Sequence, residues 1–217
     1  MSSVLINPLE SIIESGVIGI MRADSSEQLL KAADALKAGG VIAIEVTMTT
    51  PGALEVINKA TTKYGDEILF GVGSVLDPET ARSAILSGAQ FVVCPTLNLD
   101  TIEICKRYSV PVVPGAYTPS EILTAWEAGA DMVKIFPASI GGPSLIKAVK
   151  APLPQIEVVP VGGVNLNTAA DYIRAGASAL GVGSSLINKK ALEAQDYKKI
   201  TENARLFQEE VRKGRKQ

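Results

Sequence analysis

Eight short β-branched runs, each followed by a helix-patterned stretch, make up this chain, and the alternation narrows its possible folds more than any other feature. The strand candidates are residues 17–21, 43–47, 68–74, 91–95, 110–114, 132–137, 157–161 and 179–183. Strands separated by helices imply a parallel sheet, and such a sheet needs both faces covered. Eight units of this kind close most simply into a single (β/α)8 TIM barrel. The expectation is one domain over residues 1–217, with an N-terminal helix and a closing C-terminal helix. A doubly wound open sheet is the alternative. It usually carries a glycine-rich dinucleotide turn after its first strand, which Met21-Arg22-Ala23-Asp24 is not.

The punctuation of the chain fits this reading. Gly39, Gly88, Gly129 and Gly176 each fall between a helical stretch and the next strand, where a left-handed helix C-cap favours glycine. Asp77-Pro78, Thr118-Pro119 and Gly142-Pro143 put proline near a first helical position. Asn165 or Asn167 is expected to cap the helix after Gly163. Ile200, Ala204, Phe207 and Val211 share one helical face, as a closing helix requires.

Composition excludes several function classes. The formal charge of −2 gives no general attraction to nucleic acid or an anionic membrane, and the basic stretch Arg212-Lys213-Gly214-Arg215-Lys216 is short enough to be a solvated end. No apolar run reaches membrane-spanning length. Met1-Ser2-Ser3-Val4-Leu5-Ile6-Asn7-Pro8 lacks the pattern of a signal peptide, so a cytoplasmic location is expected. Cys94 and Cys105 read as reduced core thiols, and nothing in the sequence supplies a base to activate Cys94. With no histidine in the chain, acid–base work falls to Glu, Asp, Lys, Tyr or water.

Two charged residues stand out against this apolar background. Lys134 lies within Asp131-Met132-Val133-Lys134-Ile135-Phe136-Pro137. Apolar surroundings disfavour the ammonium and leave some nucleophilic amine, which is how a Schiff-base lysine is made. The bland alternative is a lysine that snorkels to solvent, an awkward route from mid-strand. On the second strand, parity puts Glu45 with Ala43 and Thr47, opposite Ile42, Ile44 and Val46, so it should face the barrel interior. A structural ion pair is the plain reading. A Glu and a Lys on inward positions of different strands also make a functional pair, since buried charges are costly unless paired.

Barrel active sites gather at the C-terminal ends of the strands. There the seventh and eighth strands give Gly162-Gly163 and Gly183-Ser184, glycines whose backbone N–H groups can approach a phosphate closely. Ser74 and Thr96 could hydrogen-bond a substrate carboxylate or hydroxyl, or serve as local turn caps. Arg22, at the end of the first strand, is a candidate bidentate partner for a carboxylate or an exposed rim residue.

Ile44-Glu45-Val46-Thr47, Gly71-Val72-Gly73-Ser74-Val75, Val133-Lys134-Ile135-Phe136-Pro137-Ala138, Gly162-Gly163-Val164 and Gly181-Val182-Gly183-Ser184 resemble, in order and spacing, motifs of the 2-keto-3-deoxy-6-phosphogluconate (KDPG) aldolase family. The likeness runs from about residue 17 to residue 186. It implies a class I aldolase on a (β/α)8 barrel, with Lys134 forming the Schiff base and Glu45 as general acid/base. It also implies cleavage of a phosphorylated 2-keto-3-deoxy sugar acid to pyruvate and glyceraldehyde 3-phosphate. Arg22, Thr47, Thr49, Ser74, Pro95, Thr96 and Phe136 are the substrate-binding candidates, and Gly162, Gly163, Gly183 and Ser184 would bind the phosphate. A homotrimer is implied, with no cofactor and no metal, because the iminium replaces a Lewis acid.

Three positions depart from the family pattern. Thr49 stands where some members have an arginine for the pyruvate carboxylate, so Arg22 is expected to supply that cation. Ser74 replaces a threonine and keeps the hydroxyl. Val161 replaces the threonine that often precedes the Gly-Gly pair, which resembles the branch acting on 2-keto-3-deoxy-6-phosphogalactonate (KDPGal) and opens the question of the C4 epimer. Activity on 4-hydroxy-2-oxoglutarate (KHG) is open too. The remaining alternatives on the same barrel are a phosphosugar isomerase or synthase, in which Lys134 is only a fixed charge, and a non-catalytic sugar-phosphate binder.

Overall fold

A computed structural model of the chain describes residues 7–23 and 25–216. Residues 1–6, read above for a signal pattern, and Asp24, the last residue of the Met21-Arg22-Ala23-Asp24 segment read above, lie outside the described residues, as does Gln217. The elements follow in the order α1 (Pro8–Ser15), β1 (Val17–Met21), α2 (Ser26–Ala38), β2 (Ala43–Thr47), α3 (Ala53–Tyr64), β3 (Leu69–Gly73), α4 (Pro78–Leu86) and β4 (Val92–Val93). Next come α5 (Leu99–Arg107), β5 (Val112–Val113), β6 (Gly115–Ala116), α6 (Pro119–Glu127), β7 (Val133–Ile135) and α7 (Gly142–Lys150). The chain finishes with β8 (Val158–Pro160), α8 (Ala169–Arg174), β9 (Leu180–Val182), α9 (Lys189–Glu193) and α10 (Tyr197–Arg215).

All pairings between strands are parallel. They run β5-β4-β3-β2-β1-β9 in one sheet and β6-β7-β8 in the other. The two sheets join at both ends. Val161 bridges Gly181, which brings β8 to β9, and only Pro114 separates β5 from β6. Proline has no N–H to give the ladder, so the stave is interrupted there, yet the Pro114 carbonyl still accepts from the Lys134 N–H at 2.9 Å. The result is the closed (β/α)8 barrel, eight staves of which the fifth is β5 and β6 together.

Period-2 alternation sorts the strand residues between two cores. Inside the barrel are Ile18, Ala43, Leu69, Val93, Val113, Met132, Val159 and Ala179, with Ile12 of α1 packed against them. Outside, Ile44, Val46, Phe70, Val72, Val133, Ile135, Leu180 and Val182 meet the helices. Ile200, Ala204, Phe207 and Val211 of α10 are buried as expected, and Gln208 donates to the Ser15 carbonyl at 2.9 Å. No helix among the described residues is long and apolar enough to cross a membrane.

Some of the expected punctuation moves. Gly88, Gly129 and Gly176 are left-handed, with φ of 104°, 96° and 105°, but Gly39 is not: its φ is −92° and Gly40 takes the left-handed turn at +91°. Gly39 is needed for another reason, since a Cβ there would strike Ala204 of α10. Pro78 and Pro119 open α4 and α6 as read, behind the N-caps Asp77 and Thr118, with Thr118 and Glu121 forming a reciprocal capping box. The helix after Gly163 starts later than expected, with Thr168 at its N-cap. Asn165 instead accepts from the Asn167 N–H at 2.9 Å, an Asx turn that uses up its capping oxygen. The short helix α9 has no counterpart in the pattern reading.

Candidate active site

β2 carries Glu45 and Thr47 on its inward face, and β7 carries Lys134 on the same face of the sixth stave. In a ring of eight, staves two and six stand across from each other, so the acid and the amine approach from opposite walls. Both are buried, Glu45 at 2% exposure and Lys134 at 6%. Burial pushes the Glu45 carboxyl above the ordinary carboxylate range, opposed by the positive charges of Lys134 and then Arg22. Lys134 therefore lies close enough to bias Glu45, yet among the described residues no direct ion pair joins them. Lys134 Nζ sits 5.0 Å from the centroid of the Phe136 ring.

Space around this pair comes from glycines on inward positions. A Cβ at Gly73 would overlap the Glu45 side chain, one at Gly71 the Phe91 ring, and one at Gly115 the Pro95 carbonyl. A Cβ at Gly181 would meet Val161 Cγ2 at 2.5 Å, whereas one at Gly183 would meet nothing within 4 Å. In sequence the G-x-G of β3 stands out as a family motif and for the Ser74 that follows it, not for its packing against Glu45. Its parity with Glu45 was the signal that could have found the packing role.

A cavity of about 560 Å³ opens at the C-terminal end of the barrel. Arg22, Thr49 and Phe136 line it, as do Gly162, Gly163, Gly183 and Ser184. Ile20, paired in register with Glu45, and Val161, bridged to Gly181, also line it and tie it to the inner face of the barrel. Thr47 is buried beside it, its hydroxyl 2.8 Å from that of Thr49 and 3.5 Å from that of Thr50. Ser74, Pro95 and Thr96 stand off this cavity, at the ends of the third and fourth staves. Ser74 is half-buried with a left-handed φ of 60°, and the Thr96 carbonyl accepts from the Gly115 N–H at 3.3 Å.

At the other rim, Gly162 and Gly163 have φ of 92° and 78°, a conformation that turns the chain sharply after β8. The Val161–Gly181 bridge keeps Gly162 at the end of the ladder, while the backbone N–H groups of Gly163, Ser184 and Ser185 enter none of the loop hydrogen bonds found among the described residues. Such groups are ready donors to an anion. Cys94 is a packed side chain, its thiol pushed up to about 12 chiefly by burial. Missing from the sequence reading were Gln28, Lys189 and Glu193, which also line the cavity.

A parallel barrel with an amine and a carboxyl buried across its mouth, beside a cavity rimmed by glycines, defines a barrel enzyme. Comparison with known proteins narrows this. The model of the KDPG and KHG aldolase family matches residues 9–203. A 2-dehydro-3-deoxy-6-phosphogalactonate aldolase of Escherichia coli K12 is 38% identical, covering 78% of this chain and 83% of that protein. The KHG/KDPG aldolase of the same organism is 35% identical over 90% of this chain and 92% of its own length. A native KDPGal structure superposes with a TM-score of 0.85 at 34% identity, covering 91% of this chain and 95% of its own. A KDPG aldolase from Legionella pneumophila, with pyruvate captured as a covalent carbinolamine, reaches 0.86 at 28% identity, covering 92% and 97%. The chain belongs to the KDPG and KHG aldolase family and is a carbon–carbon lyase.

Proposed function

We propose that this aldolase cleaves 2-keto-3-deoxy-6-phosphogluconate to pyruvate and glyceraldehyde 3-phosphate through a Schiff base on Lys134. The observation that carries the reading is the buried amine of Lys134 placed near enough to the buried carboxyl of Glu45 for its charge to act on it, on the inner wall that Ile20 and Val161 join to the cavity. The Lys134 amine adds to the C2 carbonyl, and loss of water gives an iminium. Glu45, directly or through water, takes the proton of the C4 hydroxyl as the C3–C4 bond breaks. The bonding pair moves into the iminium as an enamine, and the aldehyde leaves. Protonation at C3 and hydrolysis then release pyruvate and restore the amine.

A carboxyl whose affinity for protons is raised by burial suits a group that must both accept and return one. Arg22 is the cation for the substrate carboxylate, with Thr47 and Thr49 beside it, Ser74, Pro95 and Thr96 across the mouth and Phe136 over the amine. The N–H groups of Gly162, Gly163, Gly183 and Ser184 hold the phosphate. Val161 favours a second reading, KDPGal as the better substrate, because a valine in the cavity wall cannot give a hydroxyl contact to one C4 epimer. The similarity to KDPGal proteins supports the same reading.

Borohydride with pyruvate tests the chemistry: a reduced adduct on Lys134 supports it, and a clean absence in active protein sinks it. Turnover of the two epimeric substrates decides between the readings. The proposal extends to a homotrimer, to be checked by light scattering, and to the cytoplasm, where two buried free thiols such as Cys94 and Cys105 persist.

A further inference from the structure

The cavity extends past the glycine loops to α9, and among the described residues it is lined by two cationic side chains, Arg22 and Lys189. They serve different ends. Arg22 is close enough to Glu45 to act on its proton affinity, and Lys189 is not among the charges that do so. Lys189 follows Ser184 and Ser185 along the chain and sits on a fixed element. Leu192 of α9 is buried, and Gln28 of α2 donates to the Leu192 carbonyl at 3.4 Å. Asn188 accepts from the Lys190 N–H at 2.8 Å, which starts the helix.

Lys189 is held back by little. Its Nζ lies 3.6 Å from Glu193 Oε1, with side chains 84% and 55% exposed, and a pair of that exposure contributes little to stability. The glycine-loop donors are all neutral N–H groups, and among the described residues Arg22 and Lys189 are the cationic side chains that line the cavity with them.

On the proposed reaction as its premise, we propose that Lys189 selects for the phosphate ester, leaving Glu193 to pair with the substrate dianion. Glu193 is then a competitor that weakens phosphate binding in the free enzyme. The two side chains act in opposite directions, which a merely structural role for α9 would not produce.

Steady-state cleavage of the preferred phosphorylated substrate, measured beside the pyruvate concentration that half-saturates borohydride trapping, tests this. Lys189→Met should raise the KM for the phosphorylated acid about fivefold relative to the pyruvate constant, as expected for one exposed charge contact. Glu193→Gln should lower the same ratio. An unchanged ratio in Lys189→Met, or a shift in the same direction for both variants, overturns the inference while leaving the aldolase reading intact. If the wild-type protein cleaves no phosphorylated acid at all, the proposed substrate fails and this inference goes with it.

Discussion

Gly73→Ala places one methyl group against Glu45, and the structure sets the size of the disturbance. The new Cβ would overlap the carboxyl group, and even Glu45 Cγ would lie only 2.5 Å from it. Ordinary contact begins near 3.4 Å, so the side chain must retreat by about 1 Å or β3 must give way. Gly73 pairs in register with Thr47 and its carbonyl accepts from the Met48 N–H at 2.8 Å, so the strand has little freedom to move. The carboxyl is therefore the part that shifts. A displacement of about 1 Å at a catalytic group costs on the order of 100-fold in rate. Overpacking of a buried site adds a stability loss of about 1–3 kcal/mol. Pyruvate release followed through a coupled NADH assay should show kcat reduced about 100-fold, while borohydride still traps pyruvate on Lys134, which lies on another stave. A folded Gly73→Ala protein with kcat within threefold of wild type would refute the claim that this glycine positions Glu45.

Three further variants test the same geometry. Because burial raises the Glu45 pKa in the folded protein, its contribution to stability falls as pH rises from the unfolded value of 4.5 through the raised folded value, and Glu45→Gln should flatten that part of the urea-stability profile. The same variant should keep the pyruvate adduct but turn over slowly. Arg22→Gln should raise the KM for substrate about tenfold, the loss expected for a charge-assisted hydrogen bond to a carboxylate, with an equal rise in the pyruvate needed for trapping. Val161→Thr should move the ratio of kcat/KM values toward the gluconate-derived epimer about fivefold, the worth of one hydroxyl contact, and an unchanged ratio would remove Val161 from the account of specificity.

The barrel was legible because parallel strands buried on both faces alternate strictly, and one misplaced residue would have put Glu45 among the helices with Ile44 and Val46. The same parity set Lys134 in line with Met132 and Phe136. Less legible were features decided by contacts remote in sequence. Gly39 and Gly40 look alike as a pair, and only the approach of Ala204, far along the chain on α10, determines which of them is left-handed and which is small for packing. Asn165 and Asn167 both look like caps, yet Thr168 takes the N-cap position without a side-chain cap bond because the two asparagines are joined in an Asx turn that local preference cannot rank. Lys189 and Glu193 carry no signal in the sequence, and only the placement of α9 at the border of the cavity brings this i,i+4 pair to the site.

The energetics of the interior bear on why the pair of charges persists. A barrel filled only by residues like Ile18, Leu69, Met132 and Val159 would be at least as stable, since apolar replacements of buried charges are often neutral or favourable. Glu45 and Lys134 do not even form a close ion pair that would offset their desolvation. Their cost is the kind carried for chemistry. Ile12 packs on the interior core from α1, next to the start of the strands, while at the opposite end Gly183 faces open space and borders the cavity. Arg22 and Lys189 are the cationic side chains that line that cavity among the described residues, and Ile20 and Val161 join it to the inner wall on which Glu45 and Lys134 stand, at the end where barrel chemistry gathers.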